Sequence, residues 1–314
     1  MAGRLAFPAG TLWGAATSAH QVEGNCRNNQ WWAWEQEGGH IRDGSVSGLA
    51  CDHYGRFDED FRLVASLGHT AQRISVEWSR IEPEEGRFDE GELDHYRAVC
   101  DSIRHHFAPL DPDEPADRAE AEARDRFMNQ WYLEGISTGR TMPPCGNGEE
   151  VPGLAGSFDV LGLNYYDRML VRPGSLTQPT GSPLALRRPG ERPEFDDEMG
   201  WEVHPPGLGA QLRRLARFGK PLMVTENGHA TLDEAARTRY LHVHLGELHG
   251  AIADGVDARG YFFWSLMDNF EWAEGYTRHF GLVAIEPGTL ARRPRPAVFF
   301  FRDVIAQNAL PALA

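Results

Sequence analysis

The chain reads as an α/β fold built on parallel strands, a TIM-type (β/α)8 barrel that is incomplete by about two to three strands. Three observations carry this reading. Strand-like and helix-like periodicities alternate along the chain. Polar and ionisable residues gather at the ends of the strand candidates, where barrels and open parallel sheets collect their chemistry. No GxGxxG follows the first strand, which disfavours a dinucleotide-binding sheet. Five or six strands are legible, whereas a closed barrel of this type needs eight.

Residues 11–17, TLWGAAT, form the first strand candidate. Residues 57–67 place Phe57, Phe61, Val64 and Leu67 on one helical stripe, and Gly68 stops that helix. In the strand HTAQRISVEWSRI that follows, Arg73, Ser75 and Glu77 alternate with Ile74, Val76 and Trp78, so the polar face lines a cavity. Helices are expected over 92–103 and 115–134, and a strand within 158–171, FDVLGLNYYDRMLV. Residues 172–200, rich in Pro, Gly and Arg and without periodicity, read as a long surface loop. A helix over 208–218 precedes PLMVTENG, a short apolar strand that ends in Glu226. A longer helix over 232–253, the aromatic strand GYFFWSLMDNFEW and a last helix over 296–307 complete the chain.

With 314 residues, 41% of them hydrophobic, the chain has the material for one large core and is expected to form a single domain, 1–314. A net charge of -15 argues against a nucleic-acid backbone or an anionic membrane as partner. No segment approaches the ~20 apolar residues of a membrane span. The N-terminal residues show no apolar signal segment, and cysteines 26, 51, 100 and 145 show no CxxC spacing, so free thiols and a cytoplasmic location are expected. His242 and His244 lie two apart on a helix and face different ways, so no metal site is expected there.

The segments FPAGTLWGAATSAHQVEGN, RISVEWSRIEPEEGRFD, DVLGLNYY, PLMVTENG and GYFFWSLMDNFEWAEGY together resemble glycoside hydrolase family 1, the retaining β-glucosidase family with a TIM barrel. The resemblance covers most of the chain in order and implies a small-molecule β-glucoside or oligosaccharide as substrate, with no cofactor and no metal. It makes Glu226 the nucleophile that forms a covalent glycosyl-enzyme. Arg73 resembles the arginine beside that carboxylate, and Tyr166 the tyrosine that donates to it. Gln21, Glu271 and Trp272 match hydroxyl-binding residues, Trp264 matches the stacking platform, and Asn164 lies on the same strand face as Tyr166.

A retaining glycosidase needs a second carboxyl group, about 5 to 5.5 Å from the nucleophile. In the family it sits in an Asn-Glu-Pro motif, and this sequence contains none. One large internal deletion, after the helix that ends near Ile103, accounts for the loss. His105 and His106 imitate the family's third-strand histidine, and Glu114, in Asp-Glu-Pro, imitates the lost motif from a proline-rich loop. Impaired turnover is the expectation, with a non-catalytic sugar-binding protein as the alternative. A barrel missing strands exposes parallel-strand edges, which invites homo-oligomerisation.

Overall fold

Ten strands are present among the described residues of the computed structural model, which are 4–89, 92, 106–109, 113–126, 131–143, 146–174, 186, 188, 194 and 198–311. They are β1 (Leu5–Ala6), β2 (Leu12–Ala16), β3 (His106–Pro109), β4 (Leu161–Asn164), β5 (Arg168–Val171), β6 (Leu222–Asn227), β7 (Ala258–Trp264), β8 (Val283–Ile285), β9 (Arg292–Pro294) and β10 (Ala309–Leu310). The central sheet is wholly parallel in the order β2-β7-β6-β4. Parallel neighbours need long crossovers. Helix Pro205–Leu215 lies between β4 and β6, and helix Glu234–Ala253 between β6 and β7.

The two-residue period of the strands sorts their side chains. Leu161, Leu163, Leu222, Val224, Tyr261 and Phe263 join Leu208, Leu212, Leu241 and Leu245 in the main core, between sheet and helices. Each such side chain stabilises the fold by roughly 1.5–3 kcal/mol. On the opposite, inner face, Ala16, Phe262, Trp264 and Phe280 cluster with Tyr166, Met199, Trp201 and Met223. This inner face is where the polar strand ends meet.

The strand expected around Arg73 is an extended stretch running beside β2. Thr70 N and Ala71 N donate to Trp13 O at 2.9 and 3.1 Å, Arg73 N donates to Ala15 O at 3.0 Å, and Thr17 N donates to Arg73 O at 3.0 Å. The approach is close because Gly14 has no side chain, and a Cβ there would lie 2.1 Å from Ala71 O. The stretch then turns into helix Trp78–Ile81, whose N-cap is Glu77.

Other elements also depart from the expectations. The segment 158–171 is two strands, β4 and β5, and β5 pairs with β3 in a separate sheet. The interruption at Tyr165, Tyr166 and Asp167 follows a register shift between Leu163 and Asn164 against β6. The charged segment 115–134 holds helix Pro115–Asp125 and the start of helix Trp131–Thr138, and the helix expected from 57 starts at His53. The helix expected over 92–103 and the loop over 172–200 lie largely outside the described residues. Helix Pro296–Gln307 has the expected bounds. It ends at Asn308, whose Oδ1 accepts from Trp13 Nε1 at 2.9 Å and so ties the last helix to β2.

Candidate active site

Glu226 sits at the C-terminal end of β6, where a register shift against β7 falls between Val224 and Asn227. Such a bulge re-aims a side chain. One oxygen, Oε1, accepts from Arg73 Nη1 at 2.5 Å, and the other, Oε2, accepts from Tyr166 OH at 2.6 Å. Arg73 comes from the stretch beside β2 and Tyr166 from the end of β4, so donors from opposite sides converge on one carboxylate. Both ion-pair partners are mostly buried, with side-chain exposures of 10% and 13%. Burial and the neighbouring Glu226 charge push the Tyr166 hydroxyl well above its ordinary range, which favours its protonated, donating form.

The backbone of Glu226 is fixed by its neighbour. Asn227 Nδ2 donates to Tyr165 O and to Tyr240 OH, each at 2.7 Å, while its Oδ1 accepts from Tyr261 OH at 2.7 Å. One side chain thereby ties the β6 terminus to β7, to the segment after β4 and to helix Glu234–Ala253. Gly228 follows because a Cβ there would lie 1.9 Å from Trp264 O. Sequence reading left Asn227 out, although it stands inside the motif that names Glu226.

Gln21, on helix Ala19–Val22 just after β2, donates through Nε2 to Glu271 Oε2 at 3.2 Å and to Asn269 Oδ1 at 3.0 Å. Burial, followed by the charge of Glu226, pushes Glu271 up to about 8, against the pull of hydrogen bonds from Gln21 and Trp264. Trp264 ends β7, precedes a cis peptide bond to Ser265 and packs in the inner cluster with Phe262 and Phe280. Trp272 stacks on His20, with ring centroids 5.8 Å apart and planes 3° apart, and tilts against Trp31 at 4.6 Å. Asn164 is fully buried, in register with Glu226, and its Oδ1 accepts from Thr225 Oγ1 at 2.7 Å. All eight residues singled out from the sequence therefore lie around the C-terminal ends of the central strands. Asn269 was missed; its signal was its place in the DNFEW run beside Glu271.

Glu114, which imitates the lost motif, and Glu77, on the stretch that carries Arg73, are both engaged in local hydrogen bonds. Glu114 caps helix Pro115–Asp125 by accepting from Ala116 N. Glu77 is buried, accepting from Ser79 Oγ at 2.6 Å and Asn29 Nδ2 at 3.0 Å. His105 lies outside the described residues, and His106 belongs to β3. His20, Cys26 and Glu77 bring ligand-type atoms within 4.8 Å of one another. Asn29 Nδ2 lies 3.1 Å from His20 Nδ1 and 3.0 Å from Glu77, and it is held there because Asn29 Oδ1 accepts from Trp32 N. With Arg80 Nη2 also 3.7 Å from Cys26 Sγ, donors fill the place a cation would take.

Comparison with known proteins decides the family. The sequence model of glycosyl hydrolase family 1 matches residues 4–108 and 103–310. The chain belongs to glycosyl hydrolase family 1. The thermostable beta-glucosidase B of Thermobispora bispora is 29% identical over 450 residues, covering 98% of this chain and 92% of that protein. The beta-glycosidase from Pyrococcus horikoshii superposes with a TM-score of 0.84 at 27% identity, covering 98% of this chain and 97% of the other. The beta-glucosidase from Thermotoga maritima in complex with glucoimidazole shares the fold, with a TM-score of 0.81 at 22% identity over 98% of this chain and all of that one. This family 1 member is thus β-glucosidase-like, with a barrel shorter than those of its relatives. The two matched stretches meet at 103–108, and an alignment of 450 positions against 314 residues marks an internal deletion.

Proposed function

We propose that the chain, acting as one domain, hydrolyses β-linked glucosides by a retaining mechanism with Glu226 as nucleophile. The observation that carries this is the pair of donors on Glu226, Arg73 Nη1 and Tyr166 OH, which hold the carboxylate in place. Gln21, Glu271 and Trp272 bind sugar hydroxyls, Trp264 forms the platform beneath the ring, and Asn164 completes the pocket wall. The absence of an Asn-Glu-Pro motif from the sequence supports impaired turnover, because a positioned general acid contributes about 10² to 10⁴-fold. The same absence favours a second reading, a sugar-binding protein that kept the pocket and lost the chemistry. Exposed Trp78, Phe57 and Phe61 lie on or beside the stretch that carries Arg73 and support association of two copies through this side. The free, buried Cys26 and Cys51 support a reducing compartment such as the cytoplasm.

The deciding experiment is incubation with a 2-deoxy-2-fluoro aryl β-glucoside, followed by mass spectrometry of the peptides. The expected result is a glycosylated peptide containing Glu226 with stoichiometric phenol release. An unlabelled protein that still binds a neutral sugar analogue selects the non-catalytic reading. Sedimentation velocity tests association through the exposed side, and a monomer at all concentrations would reject it.

A further inference from the structure

We propose that Asn164 donates a hydrogen bond to the departing aglycone oxygen, and that the site therefore selects β-glucosides whose aglycone leaves as a stable anion, namely acidic phenols and carboxylic acids. The inference rests on Glu226 being the nucleophile. Asn164 is fully buried, and its Nδ2 has no hydrogen-bond partner among the described residues, while its Oδ1 is taken by Thr225. A buried amide N–H left unpaired is costly, so a site that keeps one is built to meet an acceptor.

The position of Asn164 identifies that acceptor. Leu161, Leu163 and Tyr165 belong to the main core on the helix side of the sheet. Asn164 therefore shares the opposite face with Tyr166, whose hydroxyl reaches Glu226, and it stands in register with Glu226 itself. A neutral amide cannot deliver a proton, but it can stabilise negative charge that develops on an oxygen nearby. In the first step a Glu226 oxygen bonds to the anomeric carbon and the bond from that carbon to the aglycone oxygen breaks. The electron pair stays on the oxygen, which departs as phenolate or carboxylate, hydrogen-bonded to Asn164 Nδ2–H. No proton moves. In the second step water adds to the anomeric carbon, the bond to Glu226 breaks and the water proton passes to solvent.

The test measures the burst of aglycone release from 2,4-dinitrophenyl, 4-nitrophenyl and phenyl β-glucosides with the full chain, N164A and T225V. The expected slowing in N164A is about fivefold for dinitrophenyl and above about fiftyfold for 4-nitrophenyl, because the lost bond matters more as charge on the oxygen grows. T225V keeps the amide donor and should stay within about threefold of the parent. If N164A does not fold, N164D at pH 8 keeps the acceptor for Thr225, lacks the donor and should show the same trend. Slowing that is equal for all leaving groups, or none, overturns the role of Asn164. If the parent chain is not labelled at Glu226 by the fluoro glucoside, the nucleophile reading itself has failed.

Discussion

Arg73 Nη1 and Glu226 Oε1 meet at 2.5 Å across a separation of 153 residues in sequence. In a flat sheet the stretch beside β2 and strand β6 would be three strand spacings apart, about 14 Å, beyond the reach of the two side chains. The contact therefore requires the central sheet to curl around its inner face. Curvature of the barrel type survives the loss of the intervening strands, and the ion pair is its local signature.

Removing the hydroxyl that donates to Glu226 tests how far that contact governs the chemistry. Y166F should lower the rate of labelling by a fluoro glucoside about ten- to hundredfold, the range for a hydrogen bond to a charged group. R73M leaves a mostly buried carboxylate without its cation and should cost about 3–5 kcal/mol of stability, read by urea denaturation. Unchanged labelling in Y166F would remove Tyr166 from the catalytic set.

Glu271 gives the fold a pH dependence with a definite sign. Its pKa rises from 4.5 to about 8, mainly through burial and then through the charge of Glu226. Between these values the folded chain holds a proton that the unfolded chain has released. This contribution to stability is complete below about pH 4.5 and is lost as pH rises through about 8. E271Q cannot titrate and should flatten the decline in denaturation midpoint between pH 5 and 8. A parallel decline in both proteins would show that Glu271 is not its source.

Asn227 is fully buried, and three hydrogen bonds at 2.7 Å make it the fastener of the β6 terminus. N227A should destabilise the chain by roughly 2–4 kcal/mol, since it removes three buried hydrogen bonds, to two tyrosine hydroxyls and a carbonyl, at once. Labelling of Glu226 should also slow in the fraction that remains folded. Differential scanning calorimetry beside the labelling assay separates the two effects.

Added azide should accelerate turnover of aryl glucosides, because a small anion needs no base to attack the glycosyl-enzyme, while cellobiose should be hydrolysed at least about 10²-fold more slowly than 2,4-dinitrophenyl glucoside. Product analysis should find glucosyl azide. Efficient hydrolysis of cellobiose would mean that another carboxyl group had taken up the role.

The candidate site residues were legible through the resemblance of whole runs to the family, and the fold brings those runs together: Glu226 stands two residues before the glycine that passes Trp264, and Tyr166 two residues after Asn164. Parallel strands with an apolar outer face and polar ends also left a clear pattern. What sequence hid were relations between distant segments. The stretch 70–77 looks like any strand by alternation, but it bonds to β2 without forming a full ladder. The split of 158–171 depends on a bulge against β6, and no local preference announces it. Pairs such as β1 with β10 are two residues long, too short for any period to show.

The pairing of β2 with β7, from Leu12 opposite Gly260 to Ala16 opposite Trp264, also sets when the site can exist. β7 is the seam between the first strand and the rest of the sheet, and it is the last strand of that sheet to be made. A nascent chain that stops short of Ala258 carries Arg73 and Glu226 on two pieces without the central strand that joins them. Glu226 thus gains its cation only after β7 has been made, and an arrested chain of that length should be cleaved by protease on either side of the unjoined seam.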